Sequence, residues 1–91
     1  MRIEWDEPKR RANLQKHGLD FADITAQFDF ATAVLLETRP SRTGRGRFKL
    51  IGWFRSRLIV VVVASPLGTE AFSVISLRPA NLKERVHVEQ L

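Results

Sequence analysis

The sequence predicts an α+β fold, with N-terminal helices packed on a mainly antiparallel four-stranded sheet and a C-terminal helix after it. Helix-capping residues and apolar residues at helical spacing occupy the first thirty positions, whereas the next fifty are rich in β-branched and apolar residues. Short turns join the predicted strands, which indicates antiparallel neighbours because parallel crossovers need about a dozen residues or more. No repeat or linker divides the chain, so we expect a single domain over residues 1–91.

The N-terminal helices are predicted from their ends. A short strand, 2–5, precedes Asp6, a candidate N-cap for a helix that runs to about His17. Gly18 then provides the left-handed stop. Asp20 can cap a second helix, whose apolar residues recur at helical spacing: Phe21, Ile24 and Phe28. The second helix therefore has one apolar face for packing.

Four runs of β-branched and apolar residues predict the strands: 32–37, 47–54, 57–65 and 69–78. Arg55 with Ser56, and the segment 66–68, would form hairpin turns, and 39–46 is a basic, glycine-containing loop. Residues 58–64 are continuously apolar, which is typical of a central strand covered on both faces. Side chains alternate along 47–54, so we expect one sheet face to carry packing and the other to carry charge.

The end of the chain predicts one more helix. Pro79 interrupts the last strand, because proline cannot donate to the ladder. Asn81 and Glu84 then have the spacing of a capping box, in which each side chain bonds the backbone N–H of the other residue. The helix would run from Leu82 to about Gln90.

Composition restricts the chemistry. The 91 residues carry a formal charge of +5 with a pI near 10.8, which favours a polyanionic or acidic partner. No cysteine is present, so disulfides, thiol nucleophiles and cysteine-based zinc sites are excluded. His17 and His87 are seventy positions apart, and neither a phosphate-binding glycine loop nor a serine elbow occurs. We therefore expect neither metal nor cofactor.

The sequence also predicts a cytoplasmic protein with no membrane association. Its longest apolar run, 58–64, is far shorter than the roughly 20 residues that span a bilayer. The start of the chain has Glu4 where a signal peptide would be basic and then apolar. A chain without cysteine suits a reducing compartment.

Cationic residues concentrate in the strand region and the last helix: Arg39, Arg42, Arg45, Arg47, Lys49, Arg55, Arg57, Arg78, Lys83 and Arg85. Such a set can neutralise phosphates, and Trp53, on the same strand face as Lys49, could stack on an unpaired base. A structural interpretation stands beside this one. The charged face can be the solvated side of the sheet, Trp53 can cover the sheet, and Arg78 can form a salt bridge.

Three segments carry a recognisable combination of residues. The first is Trp5, Asp6, Lys9, Asn13, Lys16, His17, Gly18 and Phe21. The second is Arg39, Gly44, Arg47, Phe48, Ile51 and Gly52. The third is Ile75, Ser76, Arg78, Ala80, Glu84 and Arg85. In this order and spacing, which span nearly the whole chain, they resemble the BrnT family of bacterial type II toxins.

The resemblance implies a RelE-like ribonuclease fold and a metal-independent endoribonuclease that inhibits translation by cleaving RNA. In such folds a ribose 2′-hydroxyl attacks the adjacent phosphate, and cations stabilise the charged transition state. The resemblance also implies a BrnA-like ribbon-helix-helix antitoxin, bound as a 2:2 heterotetramer, through which the complex contacts operator DNA.

The resemblance carries over Arg47, Arg78 and Arg85 as basic catalytic residues, the first two to bind the scissile phosphate. Strand geometry adds Lys49, and either Lys49 or His17 could serve as the base. Glu84 is a candidate general acid or base, or only a capping residue. The predicted RNA-binding residues are Arg39, Arg42, Arg45, Trp53, Arg57 and Lys83.

Two other functions remain open on composition. A nucleic-acid-binding module without catalysis would also need a basic surface and would bind with steep salt dependence. A toxin-derived interaction or repressor partner would bind its antitoxin tightly without cleaving RNA.

Overall fold

A computed structural model describes residues 2–38 and 46–89 of the chain. Within these ranges the elements are β1 (Arg2–Trp5), α1 (Glu7–His17), a 3-10 turn (Phe21–Asp23), α2 (Ile24–Gln27), β2 (Val34–Glu37), β3 (Phe48–Phe54), β4 (Leu58–Leu67), β5 (Ala71–Pro79) and α3 (Leu82–Glu89). The α+β class and the order of helices and strands are as predicted. None of these helices is long and apolar enough to cross a membrane.

The described strands form one five-stranded mixed sheet in the order β1-β5-β4-β3-β2, so the prediction of four mainly antiparallel strands was wrong in part. The three hairpin pairings are antiparallel, but β1 pairs in parallel with β5, from Arg2 opposite Ala71 to Trp5 opposite Val74. Ile3 and Trp5 pack against the core, which holds the added strand in place. Parallel pairing between distant segments needs no turn, so no local pattern predicted it.

The second predicted helix is shorter than expected. Asp20 does cap it, accepting a hydrogen bond from the Ala22 N–H at 2.9 Å, but a 3-10 turn precedes the four-residue α2. Phe28 leaves the helix with extended backbone and forms a β-bridge with Phe54. Its ring lies so close to Gly52 that an added Cβ there would be 2.9 Å from Phe28 Cζ, so this close approach requires glycine.

The sheet buries apolar side chains on both faces, so the expectation of one packed and one charged face was wrong. The first face, covered by residues 19–28, has a core of Phe21, Ile24, Phe54, Val62 and Leu77. The second face, covered by α3, has a core of Ile51, Ile59, Val61 and Val88. β4 supplies residues to both cores, as predicted for the central strand. Charged groups on the second face therefore lie beside apolar side chains, where their interactions with one another are strong.

Candidate active site

The candidate site is centred on a buried carboxylate on the second face. Glu84 is only 6% exposed. Arg78 donates two parallel hydrogen bonds to it, Nη1 to Oε1 and Nη2 to Oε2, each 2.8 Å long. Lys49 Nζ donates to Oε2 at 3.1 Å, and the Asn81 N–H donates to Oε1 at 2.9 Å. We call Lys49, Arg78 and Glu84 the Glu84 cluster.

Strand register and helix capping bring the cluster together. Arg78 on β5 is opposite Val61, which is opposite Ile51 on β3, so these residues share a face. Lys49 is two residues before Ile51 and points to the same face. The turn after Pro79 then starts α3 with the predicted capping box, in which Asn81 Oδ1 accepts a 2.9 Å hydrogen bond from the Glu84 N–H.

Glu84 and Arg78 both stay charged at neutral pH. The hydrogen bonds from Arg78, together with those from Asn81 and Lys49, lower the pKa of Glu84 to about 2, although burial opposes this shift. Glu84 in turn raises the pKa of the Arg78 guanidinium. Two cations against one carboxylate leave the cluster with a net positive charge. It can therefore attract an anion such as a phosphodiester, and Glu84 is not a free acid or base in this arrangement.

Glu84→Gln should weaken the acid dependence of stability. The Glu84 pKa is lowered from 4.5 to about 2, so its stabilising contribution is present above about pH 5 and is lost as the pH falls toward 2. The difference in the free energy of unfolding between wild type and variant should shrink by up to about 3 kcal/mol over this window. Urea unfolding at a series of pH values measures it, with the exposed Glu89→Gln as the matched control. An unchanged difference would contradict the role of Glu84.

The structure does not bring all predicted catalytic residues to this cluster. Arg85 is exposed on α3, where its Nε donates to Glu89 Oε1 at 3.3 Å. Arg47 precedes β3, so the strand alternation that placed it beside Lys49 does not extend to it. It lines instead a cavity of about 940 Å³ on the first face, together with Phe48 and other apolar residues. His17 is half-buried at the end of α1.

The predicted RNA-binding residues are also dispersed. Trp53 packs against the second-face core, roughly 13 Å along β3 from Lys49, and Arg57 lies in the exposed turn beyond it. Lys83 is exposed on α3. Arg39, Arg42 and Arg45 lie outside the described residues. Packing, rather than base stacking, accounts for the position of Trp53 in this structure.

Asn13, a residue of the first family-like segment, has a structural role that its position in the sequence did not predict. It is buried, and its Nδ2 donates to the carbonyl oxygens of Leu77 at 2.8 Å and Leu19 at 3.1 Å. Its Oδ1 accepts the Leu77 N–H at 3.1 Å. Because β1 ends opposite Val74, the backbone of Leu77 has no strand neighbour on that side, and the Asn13 amide takes that place. Asn13 thus fixes the segment of β5 that carries Arg78.

The described residues contain no group of three or more histidine, cysteine or acidic side chains placed to hold a metal ion. Comparison with known proteins identifies the family of the chain. The family described as "Ribonuclease toxin, BrnT, of type II toxin-antitoxin system" matches residues 5–84. The chain belongs to the BrnT toxin family. The resemblance noted in the sequence is therefore confirmed, and membership implies an antitoxin partner and an RNA target.

A solved structure supports the assignment. The crystal structure of the Brucella abortus ribonuclease toxin BrnT has a TM-score of 0.74 and 44% sequence identity to this BrnT-family chain. The match covers 89% of this chain and 97% of the Brucella chain. A comparison with curated proteins gave no match. The structural match and the family match thus identify the same ribonuclease-toxin family.

Proposed function

We propose that this BrnT-family protein is a metal-independent endoribonuclease that inhibits translation by RNA cleavage. The whole chain, 1–91, would act as one RelE-like toxin domain in the cytoplasm, without a cofactor. The observation that carries the proposal is the Glu84 cluster, where a guanidinium and an ammonium converge on one buried carboxylate. A phosphodiester has the same charge sign as that carboxylate and can accept the same hydrogen bonds.

The geometry supports roles for three residues. Arg78 would turn its two N–H donors from Glu84 to the scissile phosphate and stabilise the charge that develops there. Glu84 would then lose the largest interaction that keeps its pKa low, and burial would raise its pKa. The carboxylate could accept the proton of the attacking 2′-hydroxyl. Lys49 would donate a proton to the leaving 5′ oxygen, which places Lys49 as the acid and not the base.

The proposal is tested with purified protein, freed of antitoxin, and total RNA in the presence of a chelator. We expect discrete cleavage products with 2′,3′-cyclic phosphate and 5′-hydroxyl ends, because the attacking group is the ribose itself. Products with 3′-hydroxyl ends, or loss of cleavage with the chelator, would contradict the mechanism. Incorporation of labelled amino acids in expressing cells measures the inhibition of translation.

The antitoxin proposed for this toxin is a BrnA-like ribbon-helix-helix protein that forms a 2:2 heterotetramer and contacts operator DNA. The positive charge of the chain supports an acidic binding segment in this partner. Light scattering on the co-purified complex measures its molecular mass. The mass of one toxin bound to one antitoxin would contradict the 2:2 assembly.

One observation favours a second candidate, a non-catalytic nucleic-acid-binding module or toxin-derived repressor partner. Glu84 already occupies both terminal nitrogens of Arg78. If an RNA phosphate cannot displace Glu84 from Arg78, the cleavage experiment should show bound but intact RNA.

A further inference from the structure

The first helix packs along β5, where Asn13 bonds the backbone of Leu77, the residue before Arg78. Successive residues of a helix are separated by about 100° of rotation, so Lys9 and Lys16 lie about 40° and 60° to one side of Asn13. Arg10 and His17 lie at similar angles on the other side. The helix therefore has basic side chains on two flanks, one on each side of its attachment to the sheet.

The two flanks face opposite sides of the sheet. Arg10 donates to Asp20 at 3.1 Å, and Asp20 precedes Phe21, which is fully buried in the first-face core. The flank with Arg10 thus turns toward the first face. The flank with Lys9 and Lys16 turns toward the second face, which carries the Glu84 cluster.

The flanks also differ in whether their charged side chains form ion pairs. Arg10 is paired with Glu7 at 2.6 Å as well as with Asp20. Lys9 and Lys16 are exposed, and among residues 2–38 and 46–89 neither forms an ion pair within 4.0 Å. They are two turns apart, about 10 Å along the axis. Two ammonium groups without an ion pair among the described residues thus lie on a helix that is bonded to β5 at the residue before Arg78.

We propose that Lys9 and Lys16 bind phosphates of the RNA strand that flank the scissile phosphate. The RNA backbone would run from the Glu84 cluster across the edge of β5 to α1. This inference rests on the proposed function, because it extends the same site. Lysine ammonium groups on flexible side chains contact phosphates as point charges, and each contact releases counterions from the nucleic acid.

The test measures binding of a short 2′-O-methyl RNA, which cannot undergo attack by its own 2′ oxygen, at a series of salt concentrations. Lys9→Gln and Lys16→Gln should each lower the slope of log affinity against log salt by about 0.7, and the double variant by about twice that. Arg11→Gln is the matched control, since Arg11 is exposed on α1 but lies about 160° away from Asn13. Its slope should equal that of the wild type.

The outcomes separate this inference from the proposed function. If the wild type binds and cleaves RNA but the lysine variants have the same slope as Arg11→Gln, the inference is overturned and the proposed function stands. If the wild type binds the probe with the expected lysine dependence but cleaves no RNA, phosphate binding by Lys9 and Lys16 is supported and the catalytic proposal is overturned. A wild type that neither binds nor cleaves overturns both.

Discussion

Arg78→Lys should reduce RNA cleavage by roughly a hundredfold to a thousandfold. Lysine keeps the positive charge and can still pair with Glu84, so the variant should fold. It cannot present two parallel N–H groups to a phosphate, as the guanidinium does. Initial rates on the same RNA with a chelator measure the effect, and melting of the protein by circular dichroism verifies its fold.

The control for this prediction is Arg55→Lys. Arg55 also pairs with a carboxylate, Asp23 at 3.0 Å, but it lies in the exposed turn after β3. Its replacement should leave the cleavage rate unchanged. Equal rates for Arg78→Lys and the wild type would remove Arg78 from the proposed mechanism.

Arg78→Ala is a less specific variant. It would leave the buried Glu84 without its two shortest side-chain hydrogen bonds, and breaking a buried ion pair costs about 3 kcal/mol of stability. An alanine at this position thus changes the fold's stability together with its activity.

Asn13→Ala should lower the free energy of unfolding by about 3 kcal/mol. The change removes three hydrogen bonds and leaves the N–H and C=O of Leu77 buried without partners, each at a cost of roughly 1 to 3 kcal/mol. Urea unfolding at neutral pH measures the difference. The control is Gln15→Ala, an exposed position on the same helix, for which we expect a change within about 0.5 kcal/mol. Similar values for the two variants would show that the amide of Asn13 does not support β5.

Local sequence predicted those features that depend on neighbouring residues. The capping box of Asn81 and Glu84 and the stop at Gly18 each follow from a few adjacent positions. The turn at Arg55 and Ser56 was also predicted, although both residues have positive φ angles, 55° and 56°. The hydrogen bonds of such elements join residues that are close in sequence, so their patterns can be recognised without knowledge of the fold.

Features that join distant segments could not be predicted in this way. Asn13 and Leu77 are 64 residues apart, and nothing in the helix pattern names a strand backbone as the partner of an asparagine. Glu84 was recognised as a capping residue, but its second role as the carboxylate shared by Arg78 and Lys49 depends on the register of β3, β4 and β5. The residues of the site were largely named, whereas their contacts required the three-dimensional structure.

The parallel pairing of β1 with β5 has a consequence for how the protein folds. The strand that carries Arg78 receives its outer support from the other end of the chain, through β1 and Asn13. Contacts between such distant segments carry a large entropic cost of loop closure and slow the folding of small proteins. During synthesis, a growing chain that has not reached α3 lacks Glu84 and the counter-charge for Arg78 and Lys49. The complete Glu84 cluster therefore forms only after α3 has been synthesised, and its outer support requires β1 to have paired with β5.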